Sequence, residues 1–204
     1  MIIVIEGIDC SGKSTQVELL EKYLANKFGA ENIYNFHFPV RNSIFGQQIY
    51  EYLNKEVDYS KEVVELLHTA DKMNEQSFIK EFKNNCNEFL ILDRYKLSQY
   101  AYALASDLDK NWVKNLMSQM IEPDIKFFLN ISPDKTLKRK EQLDKYETDM
   151  GFLNDVYNWY LVGCDDFNCK IIDATKSIEE IHREDGDRNP NDTRPREFTS
   201  NKDL

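Results

Sequence analysis

The most constraining feature of the chain is a short run near its start, Gly7-Ile8-Asp9-Cys10-Ser11-Gly12-Lys13-Ser14. It fits the pattern G-x4-G-K-[ST]. It stands between the apolar run Ile2-Ile3-Val4-Ile5 and a segment of helical spacing. That is the setting the pattern requires: a buried strand, a tight glycine loop, then a helix N-terminus. The glycines let backbone N–H groups turn onto phosphate oxygens. Lys13 adds a point charge at the β and γ phosphates, and Ser14 supplies an oxygen for Mg²⁺.

Apolar runs and amphipathic stretches alternate along the rest of the chain. From Ser14, apolar residues recur at Val17, Leu20, Leu24 and Phe28, and Gly29 suits a helix end. Residues 33–38 read as a second strand stopped by Pro39, and 43–53 as a helix. One long helix is expected over 60–83, and a third buried strand over 89–92 ends at Asp93. Helical patterns follow over 98–105 and 109–120, then a strand over 125–131 and a helix start at Pro133. A helix carrying Phe152, Val156, Trp159 and Tyr160 precedes a short last strand at 170–172. Strands separated by helices predict a five-stranded parallel sheet covered on both faces, a three-layer α/β/α fold of the P-loop type. The stretch 183–204 holds almost no apolar side chains and reads as a polar, disordered tail.

Composition removes other classes. Thirty-six acidic against 26 basic residues give a net charge of −10, a surface that repels a phosphate backbone, so nucleic-acid binding is not expected. No apolar run approaches the ~20 residues of a membrane helix, and without a basic n-region or an h-region of secretory length no secretory leader is expected. The 4 cysteines form no CxxC pair for zinc or redox work, which fits a reducing, cytoplasmic compartment.

A phosphate loop does not say what receives the phosphoryl group. Asp93-Arg94-Tyr95 narrows the choice. An Asp at the end of a buried strand can orient Mg²⁺ through water, and Arg94 beside it can bridge donor and acceptor phosphates. A GTPase would need N-K-x-D, which both Asn54-Lys55-Glu56-Val57 and Asn201-Lys202-Asp203-Leu204 miss.

With these segments in place the chain resembles the thymidylate kinase family, most closely its eukaryotic and poxviral members. The resemblance rests on residues 5–16, Phe38-Pro39-Val40-Arg41-Asn42-Ser43, residues 64–72, Asp93-Arg94-Tyr95, Pro123-Asp124 and residues 173–179. They occur in family order. The resemblance implies a kinase domain over 1–182 with a basic lid at about 138–147, acting as a homodimer. It implies transfer of the γ-phosphoryl of ATP, with Mg²⁺, to a pyrimidine deoxynucleoside monophosphate: dTMP, dUMP or a 5-modified dUMP. A bound monophosphate is already an anionic nucleophile, so no strong general base is needed.

The resemblance assigns roles residue by residue. ATP is held by Gly7, Asp9, Cys10, Ser11, Gly12, Lys13, Ser14 and Thr15, with Arg139 from the lid and Lys176 beside the adenine. Lys13, Arg94, Asp9 and Arg139 are the expected catalytic residues, and Ser14 and Asp93 the metal-facing ones. The acceptor falls to Asp9 at the sugar hydroxyl, Phe38 and Pro39 beside it, and Arg41 with Arg94 on its phosphate. His68, Lys72, Ser98, Gln99, Tyr102 and Tyr146 complete that site, and a ring at Tyr102 would crowd a ribose 2′-hydroxyl.

Three departures stand out. His68 replaces the usual stacking Phe, and Lys72 replaces an Arg that reads a base carbonyl, losing its planar fork. Cys10 stands where some members carry a basic residue, which leaves Lys138, Arg139, Lys140 and Lys145 as substitutes. A deoxynucleoside kinase is the alternative reading; it needs a carboxylate base after the second strand, where this chain has Arg41. A silent nucleotide-binding module would keep Lys13 and dispense with Arg41 and Arg94.

Overall fold

β1 (Ile2–Glu6), β2 (Ile33–His37), β3 (Phe89–Asp93), β4 (Ile125–Asn130) and β5 (Lys170–Asp173) form one sheet in the order β2-β3-β1-β4-β5. All pairings are parallel, as the alternation of strands and helices predicts. The computed structural model describes residues 1–83, 85, 87–136 and 149–186. The lid expected at 138–147, with Lys138, Arg139, Lys140, Lys145 and Tyr146, lies outside the described residues, as does 187–204 of the expected tail.

Strand side chains alternate between two cores, which makes the three layers. Ile2, Val4, Leu90, Leu92 and Phe128 face α4 (Gln76–Glu81), α5 (Lys96–Ala105), α6 (Lys110–Leu116) and α8 (Met150–Phe167). Ile3, Ile5, Phe89, Ile91, Phe127 and Leu129 face α1 (Lys13–Phe28) and α9 (Ile178–Gly186). A strand buried on both faces has to be largely apolar, and β1 and β3 are so up to their last residues, the acids Glu6 and Asp93. α2 (Ile44–Leu53) packs on α3 (Lys61–Asn74), and α3 on α5. α7 (Pro133–Thr136) is a single turn after β4.

The helix expected over 60–83 is two helices, α3 and α4, which part at Glu75. The cause is local. The Gln76 side chain donates to Lys72 O at 2.7 Å and accepts from Ile121 N at 2.7 Å, so it takes a carbonyl that a continuing helix would use. The turn brings Ile79 and Phe82 into the core. The pattern over 109–120 also shortens: α6 ends at Leu116, and the buried Met117 and Met120 follow in a turn. The last helix runs to Gly186, past the start of the expected tail, and opens with a capping box between Ser177 and Glu180.

Strand order reverses at β1 and β3, so the loops leaving their carboxyl ends open a crevice where α/β proteins hold ligands. The glycine loop leaves β1 there, and Arg94 leaves β3. No helix among the described residues is long and apolar enough to cross a membrane.

Candidate active site

The loop 7–14 connects β1 to α1 as its sequence predicts. Gly12 caps the helix at φ 99°, in the left-handed region that favours glycine. At Gly7 a Cβ would come within 2.5 Å of Ser11 Oγ and 3.3 Å of Leu129 O, so a side chain there would crowd the closed loop. Lys13 is buried, and its Nζ donates to Ile8 O at 2.8 Å across the loop. Burial first, and the Arg94 charge second, lower its pKa to about 8. Incoming phosphates would supply the missing countercharge.

Arg94 is the hub. It sits at φ 67°, an uncommon conformation outside glycine that turns its side chain back toward the glycine loop. Its N–H donates to Ile5 O at 3.1 Å. Nη1 donates to Gly7 O at 3.0 Å, Tyr160 Oη at 3.1 Å and Ser98 Oγ at 3.3 Å, while Nη2 pairs with Asp9 Oδ1. Burial opposes its charge, and the Asp9 carboxylate more than offsets this, so the guanidinium pKa is raised well above its usual value. Tyr102 donates to the second Asp9 oxygen at 3.3 Å, and its ring lies 5.7 Å from the guanidinium.

Glu6 supports this hub, a role that sequence reasoning did not assign. Its buried carboxylate accepts from Tyr95 N at 2.9 Å, Leu97 N at 3.1 Å and Ser98 N at 3.2 Å, and from Ser98 Oγ. It thereby satisfies the opening N–H groups of α5 from another element. Tyr160 was also missed as a site residue. Its ring stacks on Phe128 at 5.0 Å, and its hydroxyl meets Ser98 Oγ at 2.7 Å and Gly7 O at 3.2 Å.

A cavity of about 180 Å³ opens from Arg94. It gathers most of the residues expected for an acceptor: Asp9, Phe38, Pro39 and Arg94 with His68, Lys72, Ser98, Gln99 and Tyr102. His37, Tyr50, Leu53 and Glu65 join them without having been expected. Arg41 does not line this cavity. It is exposed, stacked 4.7 Å from the Tyr50 ring, and lines an adjoining depression that shares His37, Pro39 and Tyr50. Arg41 and Arg94 thus line adjoining spaces, with Tyr50 common to both.

Asp71 ties down the segment that carries Phe38 and Arg41. It is fully buried and accepts from Val40 N at 3.0 Å and Ser43 Oγ at 2.6 Å. At Gly46 a Cβ would fall 1.9 Å from Val40 O, so α2 closes on this segment through glycine. Phe38 is buried, 5.7 Å from the Tyr95 ring and 5.5 Å below the Lys72 ammonium.

His68 and Lys72 share one face of α3, as their spacing of four predicts. Lys72 Nζ donates to His68 O at 3.4 Å. Burial lowers the Lys72 pKa to about 8 against the pull of Glu65. Burial, with the Lys72 charge, keeps the His68 pKa well below its usual value. Glu65 is buried and its pKa is pushed up to about 7, chiefly by desolvation.

On the donor side, Asp93 Oδ2 meets His37 Nδ1 at 3.2 Å. Burial raises the Asp93 pKa, but His37 and Lys13 outweigh it and hold the carboxylate ionised. Its Oδ1 is buried with no hydrogen-bond partner among the described residues. Ser14 is exposed at the start of α1, with Thr15 beside it. An orphaned carboxylate oxygen and a free-facing hydroxyl suit Mg²⁺, which takes few protein oxygens and keeps several waters. Cys10 is partly buried at φ 59°, and Lys176 stands exposed in the turn after β5.

A glycine loop for phosphates, a lysine folded into it and an arginine shared between that loop and a second cavity define a P-loop nucleoside monophosphate kinase. The thymidylate kinase family model matches residues 5–184, and the chain belongs to that family. It is 35% identical over 185 residues to the probable thymidylate kinase of Methanocaldococcus jannaschii, covering 90% of this chain and 93% of that one. It is 33% identical over 183 residues to the thymidylate kinase of Plasmodium falciparum, covering 89% and 86%. The solved thymidylate kinase of Candida albicans superposes with a TM-score of 0.76 at 30% identity, over 90% of this chain and 88% of that one.

Proposed function

We propose that the chain transfers the γ-phosphoryl group of ATP to a pyrimidine deoxynucleoside monophosphate, with dTMP as the first acceptor and dUMP or a 5-modified dUMP also taken. The observation that carries this reading is Arg94, fixed between the glycine loop and the acceptor cavity. From there one guanidinium reaches the phosphate being transferred and the phosphate receiving it. Lys13 holds the transferring group, and Arg94 stabilises charge as it develops between the two. Mg²⁺, when bound near Ser14 and Asp93, neutralises charge on the ATP phosphates.

The acceptor would lie with its phosphate at Arg94 and its base between α3 and α5. Asp9 reaches the sugar hydroxyl, and Tyr102, held on Asp9, leaves little room for a ribose 2′-hydroxyl. His68 offers a flat face to the base with less apolar area than a phenylalanine, which favours tolerance at the 5-position. Arg41, seated on the Tyr50 ring at the edge of the cavity, is assigned a role in capturing the acceptor phosphate. Arg139 and Tyr146 in the lid, Lys176 near the adenine, a homodimer, and a cytoplasmic location belong to the same proposal and rest on the family. A deoxynucleoside kinase is disfavoured because Phe38-Pro39-Val40-Arg41 after β2 carries no carboxylate base.

The test is an ADP-release assay with ATP and Mg²⁺ against dTMP, dUMP, dCMP, dGMP and thymidine. Turnover with dTMP and none with thymidine is expected. Turnover with thymidine alone would overturn the reading in favour of a nucleoside kinase.

A further inference from the structure

Gln99 lines the acceptor cavity and is buried in it. Its Nε2 donates to Glu65 Oε1 at 2.6 Å and to Thr69 Oγ1 at 2.9 Å. An amide nitrogen has two hydrogens, so both are in use. Its Oε1 is buried with no hydrogen-bond partner among the described residues. The three side chains come from two helices: Glu65 and Thr69 lie four apart on α3, and Gln99 faces them from α5. Thr69 Oγ1 in turn donates to Glu65 O at 2.9 Å, which leaves its oxygen to accept from Gln99.

We infer that Glu65 and Thr69 set the base choice of this pocket by locking the Gln99 amide in one orientation, so that it takes a 4-oxo pyrimidine and refuses a 4-amino one. The inference rests on the pyrimidine monophosphate reading above and adds the residues that choose among pyrimidines. Glu65 Oε1 takes the amide nitrogen at 2.6 Å, and in its ionised form, which prevails above about pH 7, it only accepts hydrogen bonds, so it then admits the NH₂ end of Gln99 and not its oxygen. The oxygen then remains as the unpartnered acceptor of Gln99, and Lys72, which lines the same cavity, offers only donors. Uracil and thymine present a ring N3–H beside a 4-carbonyl, which matches an acceptor beside a donor. Cytosine presents an unprotonated N3 beside a 4-amino group, which opposes both. An orphaned buried carbonyl costs about 1–3 kcal/mol, and the correct base relieves it. A site built on such groups discriminates far more strongly than one methyl in an apolar pocket. Glu65 and Thr69 act here as positioning residues; Gln99 is the one that would touch the base.

The measurement is kcat/KM for dTMP and for dCMP above pH 7, where Glu65 is ionised, in the parent, Glu65→Gln and Thr69→Val. A glutamine at 65 both donates and accepts, so the Gln99 amide is free to turn. The dTMP preference of the parent should fall by about tenfold or more in Glu65→Gln, with the change in KM rather than kcat. Thr69→Val keeps its shape, loses one acceptor and should move the ratio in the same direction by less. A ratio unchanged in both variants would overturn the inference, as would a parent that accepts dTMP and dCMP alike. If Glu65→Gln does not fold, Thr69→Val decides alone. A parent that phosphorylates no pyrimidine monophosphate would instead defeat the function proposed above.

Discussion

The guanidinium of Arg94 forms an ion pair with the carboxylate of Asp9, 85 positions away in the chain, because β1 and β3 are neighbours in the sheet. The same guanidinium holds Gly7 O, Tyr160 and Ser98, so its direction is set before any substrate arrives. Pre-set donors lower a barrier without reorganising during the reaction. Arg94→Ala should therefore lower kcat by roughly a hundred- to a thousandfold. Arg94→Lys should recover little of this, since an ammonium cannot span those acceptors. Steady-state kinetics on variants with parent-like melting temperatures checks both; near-parent kcat in Arg94→Lys would show that charge alone suffices.

Asp71 holds the acceptor segment through Val40 N and Ser43 Oγ. Asp71→Ala leaves Val40 N without its partner, a loss of about 1–3 kcal/mol in stability. It also frees the segment carrying Phe38 and Arg41. KM for the monophosphate should rise severalfold while KM for ATP changes little. Chemical denaturation and two-substrate kinetics read the two effects separately.

Glu65 makes stability depend on pH with a definite sign. Its pKa is raised by burial from 4.5 to about 7, so between those values the folded chain binds the extra proton. The stabilisation is complete below pH 4.5 and is lost as pH rises through about 7. The shift corresponds to on the order of 3 kcal/mol. Glu65→Gln removes this dependence. The melting temperature of the parent relative to Glu65→Gln should fall steadily from about pH 4.5 to about pH 7. A constant difference across that range would mean that Glu65 titrates as an ordinary carboxylate.

Lys72 gives a second pH signature. With its pKa lowered to about 8, the ammonium is present below that pH and is lost above it. KM for dTMP should then climb above pH 8 in the parent. Lys72→Arg stays charged throughout and should show no such climb, since a guanidinium does not titrate in this range. A climb of equal size in both would assign the effect to another group.

The parts legible in the sequence are those written locally. The glycine loop, the strand ends at Glu6 and Asp93, and the α3 face with His68 and Lys72 follow from spacing and burial pattern. Phe38, Ser98, Gln99 and Tyr102 were named through family resemblance and do line the cavity. What stayed hidden depends on long-range contact. Tyr160 reaches Gly7 from 153 positions away, and Glu6 reaches Ser98 from 92. Neither role leaves a local mark: a Tyr on an amphipathic helix and a Glu after an apolar run are ordinary. Asp71 and Glu65 lie within a segment that resembles the family, but their partners come from α2, its approach and α5. The break at Glu75 was hidden for the same reason, because Gln76 is engaged by Ile121. The seat of Arg41 on the Tyr50 ring, nine positions on, likewise leaves no mark in the sequence.

The most direct test of phosphoryl transfer to a monophosphate follows the phosphoryl group itself. The chain, its Lys13→Ala variant and Mg²⁺ are incubated with γ-labelled ATP and dTMP, and the products are separated. Label should appear in dTDP with the parent and at least about a thousandfold less with Lys13→Ala, the loss of one pre-set charge on the transferring group. Label released only as inorganic phosphate, or equal transfer by both proteins, would contradict it.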